Sequence, residues 1–465
     1  MPDSAILYKN ADNTVFLIDI PTSIALAQHL SSIQAGPALI TPAENAPEES
    51  RKYQTTNLLS SAPINKPYSL SSEPKTDVAR ARLLERFSPT ERVYHADIVE
   101  PLVCNALNDI RTNDPEIQGT WCFPRRVIGN PNPTDDVNPG KRKQDYVDGS
   151  SALPGDFPLI LDEESSAPST ASPSDDPPLI LAPGANIFAS PSDVYNSSTR
   201  NTSSAPATLQ IAHAPSDPNA AKLSDNVAFY IPPLSSFVLC RIPMSPDMFA
   251  VARGAPIPGL PASRKFDLIL LDPPWHNKSV RRSRHYRTQS YRGGDSLMQC
   301  VAGILRAHLQ PTPRAIAAIW ITNSGKARAV AYGALRDAGL HVCEEWVWAK
   351  TTVDGEPISA LGGLWRKPYE ILVIGRRGCG QGSHPHSGGA EDGPVTRRVI
   401  AAVPDVHSRK PNLREVLETV FFGPPSQGDV AGYSALEVFA RNLTAGWWAC
   451  GDEVLKFNQD TWWVQ

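Results

Sequence analysis

Asp272, Pro273, Pro274 and Trp275 stand directly behind the run FDLILL, and their types suit the handling of an amine. An ionised Asp272 can accept a hydrogen bond from an N–H. The two prolines carry no N–H and have a restricted φ, so the backbone there offers only carbonyl acceptors, held in a fixed direction. Trp275 adds a flat face for stacking. Adjacent acceptors beside a ring face match a planar ring with an exocyclic –NH₂, as on adenine. With both N–H bonds held, the nitrogen lone pair points away from them and can attack an electrophile, which is catalysis by positioning and electrostatics. The same carboxylate favours positive charge on a sulfonium donor and on the amine as it is alkylated. The competing reading is a strand that ends in an Asp-Pro turn over a buried Trp.

The elements around this motif decide between the two. Strand-like runs occur at FDLILL, Ala315–Thr322, EEWVWAK, Tyr369–Gly375 and Ala435–Arg441, with helical patterns between several of them. In KPNLREVLETVFF, Pro411 suits a first helical turn, and Leu413, Val416, Leu417, Val420 and Phe421 share one face. Continuous apolar strands alternating with helices predict an α/β fold with a mostly parallel sheet covered on both faces. Such sheets bind ligands at the carboxyl ends of their strands, which is where Asp272 falls.

The 465 residues allow two or three domains, and 45 prolines, against an average share of about 5%, point to a substantial irregular part. Residues 1–125 read as a smaller accessory region with one helix at TDVARARLLERF, Thr76–Phe87. Residues 126–224, rich in Pro, Ser and Asp, read as a largely disordered linker in which PLILDEE and PLILAPG are two short apolar segments. Residues 225–465 read as the catalytic domain. A net charge of −4 excludes a uniformly basic, histone-like protein, so nucleic-acid contact has to come from a local patch. Seven dispersed cysteines without a C-x-x-C pair read as reduced thiols rather than a disulfide frame or zinc site. No secretory signal, membrane span or metal site is expected, and GKRK at 140–143 fits a solvated loop better than an import signal. The location expected is nuclear or nucleocytoplasmic.

One basic stretch stands out. KSVRRSRHYRTQSYR places Lys278, Arg281, Arg282, Arg284 and Arg287 around Tyr286 and Tyr291, just beyond DPPW. Arginines interleaved with aromatics suit phosphate contact with base stacking better than a plain solvated loop. The glycines and His384 and His386 of GCGQGSHPHSGG lack a following helix and read as a surface loop.

Taken in order, FDLILLDPPWHNKS, WITN, EEWVWAK, KPYEILVIGR, HSRKPNLREVLE, LEVFARNLTAGWW and GDEVLKF resemble the MT-A70 family of S-adenosylmethionine-dependent adenine methyltransferases. Asn277, Lys278 and Ser279 directly after DPPW, and FARNL, are similar to its methyltransferase-like-four branch. The resemblance implies a Rossmann-like domain, permuted so that DPPW precedes the donor-binding segment. It also implies methyl transfer from S-adenosylmethionine to the 6-amino group of adenine in RNA or DNA, with the base single-stranded or flipped out. It makes Asp272 to Trp275 catalytic and gives the substrate Asn277 to Ser279 together with the basic stretch. Lys410 is then expected at the donor's carboxylate, and Glu437, Arg441 and Asn442 at its ribose. Ile242, Asp272, Asp452 and Glu453 complete the expected donor site. Two positions depart from the family pattern: Arg241 stands where an acid is usual, and Asp452 where Asn is usual. A catalytically silent nucleic-acid-binding or scaffold subunit is the rival reading.

Overall fold

The structure, a computed structural model, describes residues 2–31, 57–68, 76–85, 87–113, 120–129, 177–212, 226–244, 255–275, 294–364, 367–378, 394–423 and 432–464. Its strands are β1 (Ile6–Lys9), β2 (Val15–Ile18), β3 (Asn57–Ser60), β4 (Arg126–Val127), β5 (Leu179–Leu181), β6 (Gly184–Phe188), β7 (Ser198–Asn201), β8 (Ala207–Ile211) and β9 (Val227–Ile231). They continue with β10 (Ser236–Leu239), β11 (Leu268–Leu271), β12 (Ile316–Ile321), β13 (His341–Lys350), β14 (Tyr369–Arg376), β15 (Thr396–Ala402), β16 (Ala435–Val438), β17 (Trp448–Gly451) and β18 (Trp463–Val464). The α-helices are α1 (Ile20–Leu26), α2 (Asp77–Leu84), α3 (Pro89–Val93), α4 (Glu100–Asn113), α5 (Gly294–His308), α6 (Gly325–Asp337) and α7 (Arg414–Phe421).

Twelve strands form one sheet in the order β1-β2-β15-β13-β14-β12-β11-β16-β17-β10-β7-β5. From β10 through β17, β16 and β11 to β12 the neighbours are parallel, and β14 runs against both β12 and β13. All four residues of β11 are buried, as a strand covered on both faces requires. Ile269 and Leu271 join the core under α4, α5 and α6, whereas Leu268 and Leu270 join the core under α1 and α7. α5 supplies the first core with Leu297, Cys300, Val301, Ile304 and Leu305, an apolar stripe at helical spacing. α7 begins at Arg414, so Pro411 lies before the helix rather than in its first turn.

The fold differs from the composition-based division at two places. β1 and β2 are not part of an accessory region: β2 pairs in parallel with β15 and extends the main sheet. Residues 177–212 fall in the expected linker, yet form β5 to β8. β7 and β5 continue the main sheet beyond β10, and β6, β8 and β9 form a second sheet over Phe237 and Leu239. Alternation explains this: ATLQI buries Ala207, Leu209 and Ile211 on one face, a strand pattern that the surrounding Pro and Ser obscure. Apart from residues 126–129, which carry β4, the remainder of that linker, including PLILDEE, lies outside the described residues, as do GKRK and the stretches 276–293 and 379–393.

Candidate active site

Strand alternation places Asp272. Leu268 and Leu270 face the α1–α7 side, so the next residue of that parity, Asp272, leaves the sheet on the same side. Its backbone N–H donates to Val438 O at the end of β16 (3.2 Å). Lys410, on the loop before α7, donates Nζ to both carboxylate oxygens of Asp272 (2.9 and 2.8 Å) and lies 3.3 Å from Glu370 Oε2. Glu370 also accepts from Lys350 Nζ at 2.5 Å. Four charges of alternating sign thus run Lys350–Glu370–Lys410–Asp272 along the carboxyl ends of β13 and β11. Trp320, at the end of β12, lies 5.5 Å from Lys410 Nζ.

Asp272, Trp320 and Lys410 line a cleft together with Glu437, Phe439, Arg441 and Asn442. Its electrostatics follow from burial and the charge row. Burial favours the neutral form of Glu370, but the ammonium groups of Lys350 and Lys410 outweigh it and hold that carboxyl down at about 2. Burial likewise favours a neutral Lys410, and the carboxylates of Asp272 and Glu370 reverse the sign and raise its pKa. Glu437 has no such partner. Burial, reinforced by the charge of Asp272, pushes it up to about 8 against the weaker pull of Lys410 and Arg441. Near neutral pH it is therefore mostly a carboxylic acid, able to donate as well as accept.

The backbone is bent hard here. Phe439 has φ 61° directly after β16, a left-handed conformation costly for a bulky residue, so the strand stops at Val438 instead of running on to Arg441. The neighbouring turn accommodates it because Gly451 has no side chain. A Cβ at Gly451 would lie 3.2 Å from Phe439 Cα. Ser408 is also left-handed (φ 65°), and its carbonyl accepts from Arg441 Nη1 at 3.2 Å. Arg441 Nε donates to Glu453 Oε2 at 2.8 Å. The amide nitrogen of Asn442 is buried and has no hydrogen-bond partner among the described residues.

The structure brings together Asp272, Lys410, Glu437, Arg441 and Asn442 of the expected site. Glu453 is tied in through Arg441. Asp452 stands beside it just after β17, its pKa raised by burial and then by the Glu453 charge, with Arg241 among the opposing cations. Ile242, beyond β10, is buried in the first core and does not line the cleft. Pro273 is buried and Pro274 partly so. Trp275 does not supply the cleft's ring face: its Nε1 donates to Trp320 O at 2.7 Å and its ring packs on the first core, while Trp320 lines the wall. Asn277, Lys278, Ser279, Arg281, Arg282, Arg284, Tyr286 and Arg287 lie outside the described residues. Lys350 and Glu370 were not anticipated. The signal available for them was a charged residue at the end of each of two apolar runs, EEWVWAK and KPYEILVIG.

A mostly parallel sheet covered by helices, with an acid-rich cleft at its carboxyl ends, is a Rossmann-like methyltransferase fold. Within that class the chain matches the model of the MT-A70 family over residues 266–453. It is 42% identical over 244 residues to a protein of Cryphonectria parasitica named N6-methyladenosine RNA methyltransferase MTA1, covering 51% of this chain and 62% of that one. A protein of the same name in Pyricularia oryzae is 28% identical over 476 residues, covering 99% and 96%. The N(6)-adenine-specific methyltransferase METTL4 of Mus musculus is 34% identical over 237 residues, covering 49% and 44%. The chain thus spans less than two thirds of the first and third of these relatives.

Proposed function

We propose that this protein transfers a methyl group from S-adenosylmethionine to the 6-amino nitrogen of adenine in a nucleic-acid strand. The observation that carries the reading is the position of Asp272. It sits at the carboxyl end of β11 before two prolines and shares a cleft with a cation, Lys410, and a carboxyl that burial pushes up to about 8, Glu437. The names of the MTA1 and METTL4 relatives support the same substrate class.

The cleft fits the donor. Lys410, whose ammonium already meets Asp272 and Glu370, would take the donor's carboxylate by exchanging one of them, Glu437 and Arg441 offer polar contacts to a ribose, and the Asn442 amide, without a partner among the described residues, supplies a donor. When bound, S-adenosylmethionine supplies a methyl carbon on a positively charged sulfur. The protein's own part is positioning. Lys410 fixes the Asp272 carboxylate through both oxygens, and each oxygen keeps a lone pair to accept from the adenine amine. The Pro273 carbonyl, locked by the prolines, is the second acceptor. Positive charge that develops on the amine nitrogen as it takes the methyl group would fall beside Asp272, and that carboxylate would accept the surplus amine proton.

The test is incubation of the purified full chain with labelled donor and with separate RNA and DNA pools, followed by nucleoside analysis. Label in N6-methyladenine from either pool is expected and identifies the substrate. Donor binding without label in either pool would overturn the reading in favour of a silent binding subunit.

A further inference from the structure

At the rim of the sheet opposite the cleft, two arginines share one indole. Arg200 of β7 and Arg264, in the turn before β11, hold their guanidinium carbons 5.6 and 5.1 Å from the centre of the Trp448 ring. Trp448 is the first residue of β17, and Arg200 pairs with Ser236, the first residue of β10. The pair therefore sits at the amino ends of β17 and β10, where Trp448 packs on the first core, whereas Leu270 and Trp320 of the cleft belong to the second. Trp447, the preceding residue, lines the cleft from the opposite face, so the sheet itself stands between the two sites.

Among the described residues neither guanidinium donates a hydrogen bond or forms an ion pair, and Arg200 Nε is buried without a partner. No carboxylate acts on Arg264. Burial, then the charge of Arg200, lowers its pKa. Its backbone is nevertheless firmly fixed: Arg264 N donates to Pro261 O (2.9 Å), and Arg264 O is bonded to His308 Nδ1 (3.0 Å). Lys265 follows it, its ammonium donating to Ala307 O at the end of α5. One arginine over Trp448 is explained by cation–π attraction and by cover for the ring. A second adds like-charge repulsion, against which the described fold sets only ring contacts, Arg264 also lying 5.7 Å from the centre of Phe266, and no counter-charge. An anion accepting from both forks does offset it, and a phosphate fits guanidinium geometry better than a single-point anion.

We propose that Arg200 and Arg264 form a phosphate site that holds the nucleic-acid strand some nucleotides away from the reacting adenine. This rests on the nucleic-acid reading above. Trp448 is only 7% exposed, so the site offers no ring to a base and reads no sequence. It lengthens the footprint and adds salt-sensitive affinity.

The experiment compares the full chain with an Arg200→Gln, Arg264→Gln variant. Binding of single-stranded oligoadenylate, a dinucleotide against a strand of about fifteen nucleotides, is followed across salt concentration. The variant is expected to bind the long strand more weakly, with a log–log salt slope flatter by roughly 0.7 per lost contact, and the dinucleotide unchanged. The corresponding double lysine variant should keep the slope. Exposed Arg264 alone gives a surface variant should the double one not fold. Equal slopes for parent and variant would return the pair to packing over Trp448 and overturn this inference alone. Protection by inorganic phosphate against heat, lost in the variant while slopes stay equal, would assign the site to a free anion and also overturn it. A parent with no affinity for either strand overturns the nucleic-acid reading as well.

Discussion

Asp272 and Glu437 stand in the same cleft with different charge environments, and each gives a separable test. Asp272→Asn keeps shape and removes the charge that faces the amine, while Lys410 retains Glu370 as a partner at 3.3 Å. Fold and bulk nucleic-acid affinity should persist, and turnover should fall by about a hundredfold or more, the scale of one lost preorganised contact. Single-turnover assays alongside thermal melts check this, and near-parental rates in a folded variant would reduce DPPW to a turn. For Glu437 the sign follows from a folded value raised from 4.5 to about 8. Its stabilising share is full below about 4.5 and is lost as pH rises through about 8, because the unfolded chain ionises first. Glu437→Gln mimics the neutral form. It should match the parent near pH 4.5 and exceed it increasingly towards pH 9, by on the order of a few kcal/mol. Melting curves across that range decide it. Both residues were visible in the sequence because DPPW and LEVFAR are contiguous. Glu370 and Lys350 were not, since only the antiparallel pairing of β13 with β14, Trp348 opposite Glu370, brings two distant run ends together.

The loop that delivers Lys410 is held by its neighbour rather than by secondary structure. Arg409 is buried between Phe457 and Trp462, its guanidinium carbon 4.3 and 4.5 Å from the two ring centres. Its Nη1 donates to Asp405 Oδ2 at 2.7 Å and to Leu59 O at 2.8 Å. Strand β3 and the C-terminal segment, which pair through β18, thereby clamp the loop from both sides. Arg409→Met removes one partner of an ion pair whose side chains are both fully buried, and leaves Asp405 with Ser61 as its one donor among the described residues. The expected cost is about 3–5 kcal/mol in denaturant unfolding, with donor affinity reduced in the folded fraction. A loss under 1 kcal/mol would show that the clamp is dispensable. Strands were the most legible elements: Ala315–Thr322 and Tyr369–Gly375 differ from β12 and β14 by a residue or so at their ends. The clamp was not legible, since Arg409 in a motif and Trp462 near the chain end share no pattern.

At the scale of the whole chain, the composition-based boundary at residue 225 cuts through one continuous sheet. Period-2 burial in four- and five-residue strands is too short a signal to survive among prolines and serines, so β5 to β8 were assigned to a linker. The structure ties both outer segments to the catalytic sheet. β2 covers the edge of β15, and Phe16 and Leu17 are fully buried there. The guanidinium of Arg414 donates to the carbonyls of Leu26 (2.9 Å) and His29 (2.6 Å) at the end of α1, and Asn458 donates to Gln28 Oε1 at 3.0 Å. On the far side β7 covers β10, and Arg200 covers Trp448. A fragment of residues 225–465 would therefore carry two newly opened strand edges, an exposed apolar face and a buried Arg414 stripped of its acceptors. Each of these is costly or promotes aggregation. Such a fragment should be recovered largely insoluble, or should lack a cooperative thermal transition, whereas the full chain should melt in one step. A soluble fragment 225–465 with a single sharp transition near that of the full chain would show that the catalytic half folds without its N-terminal strands.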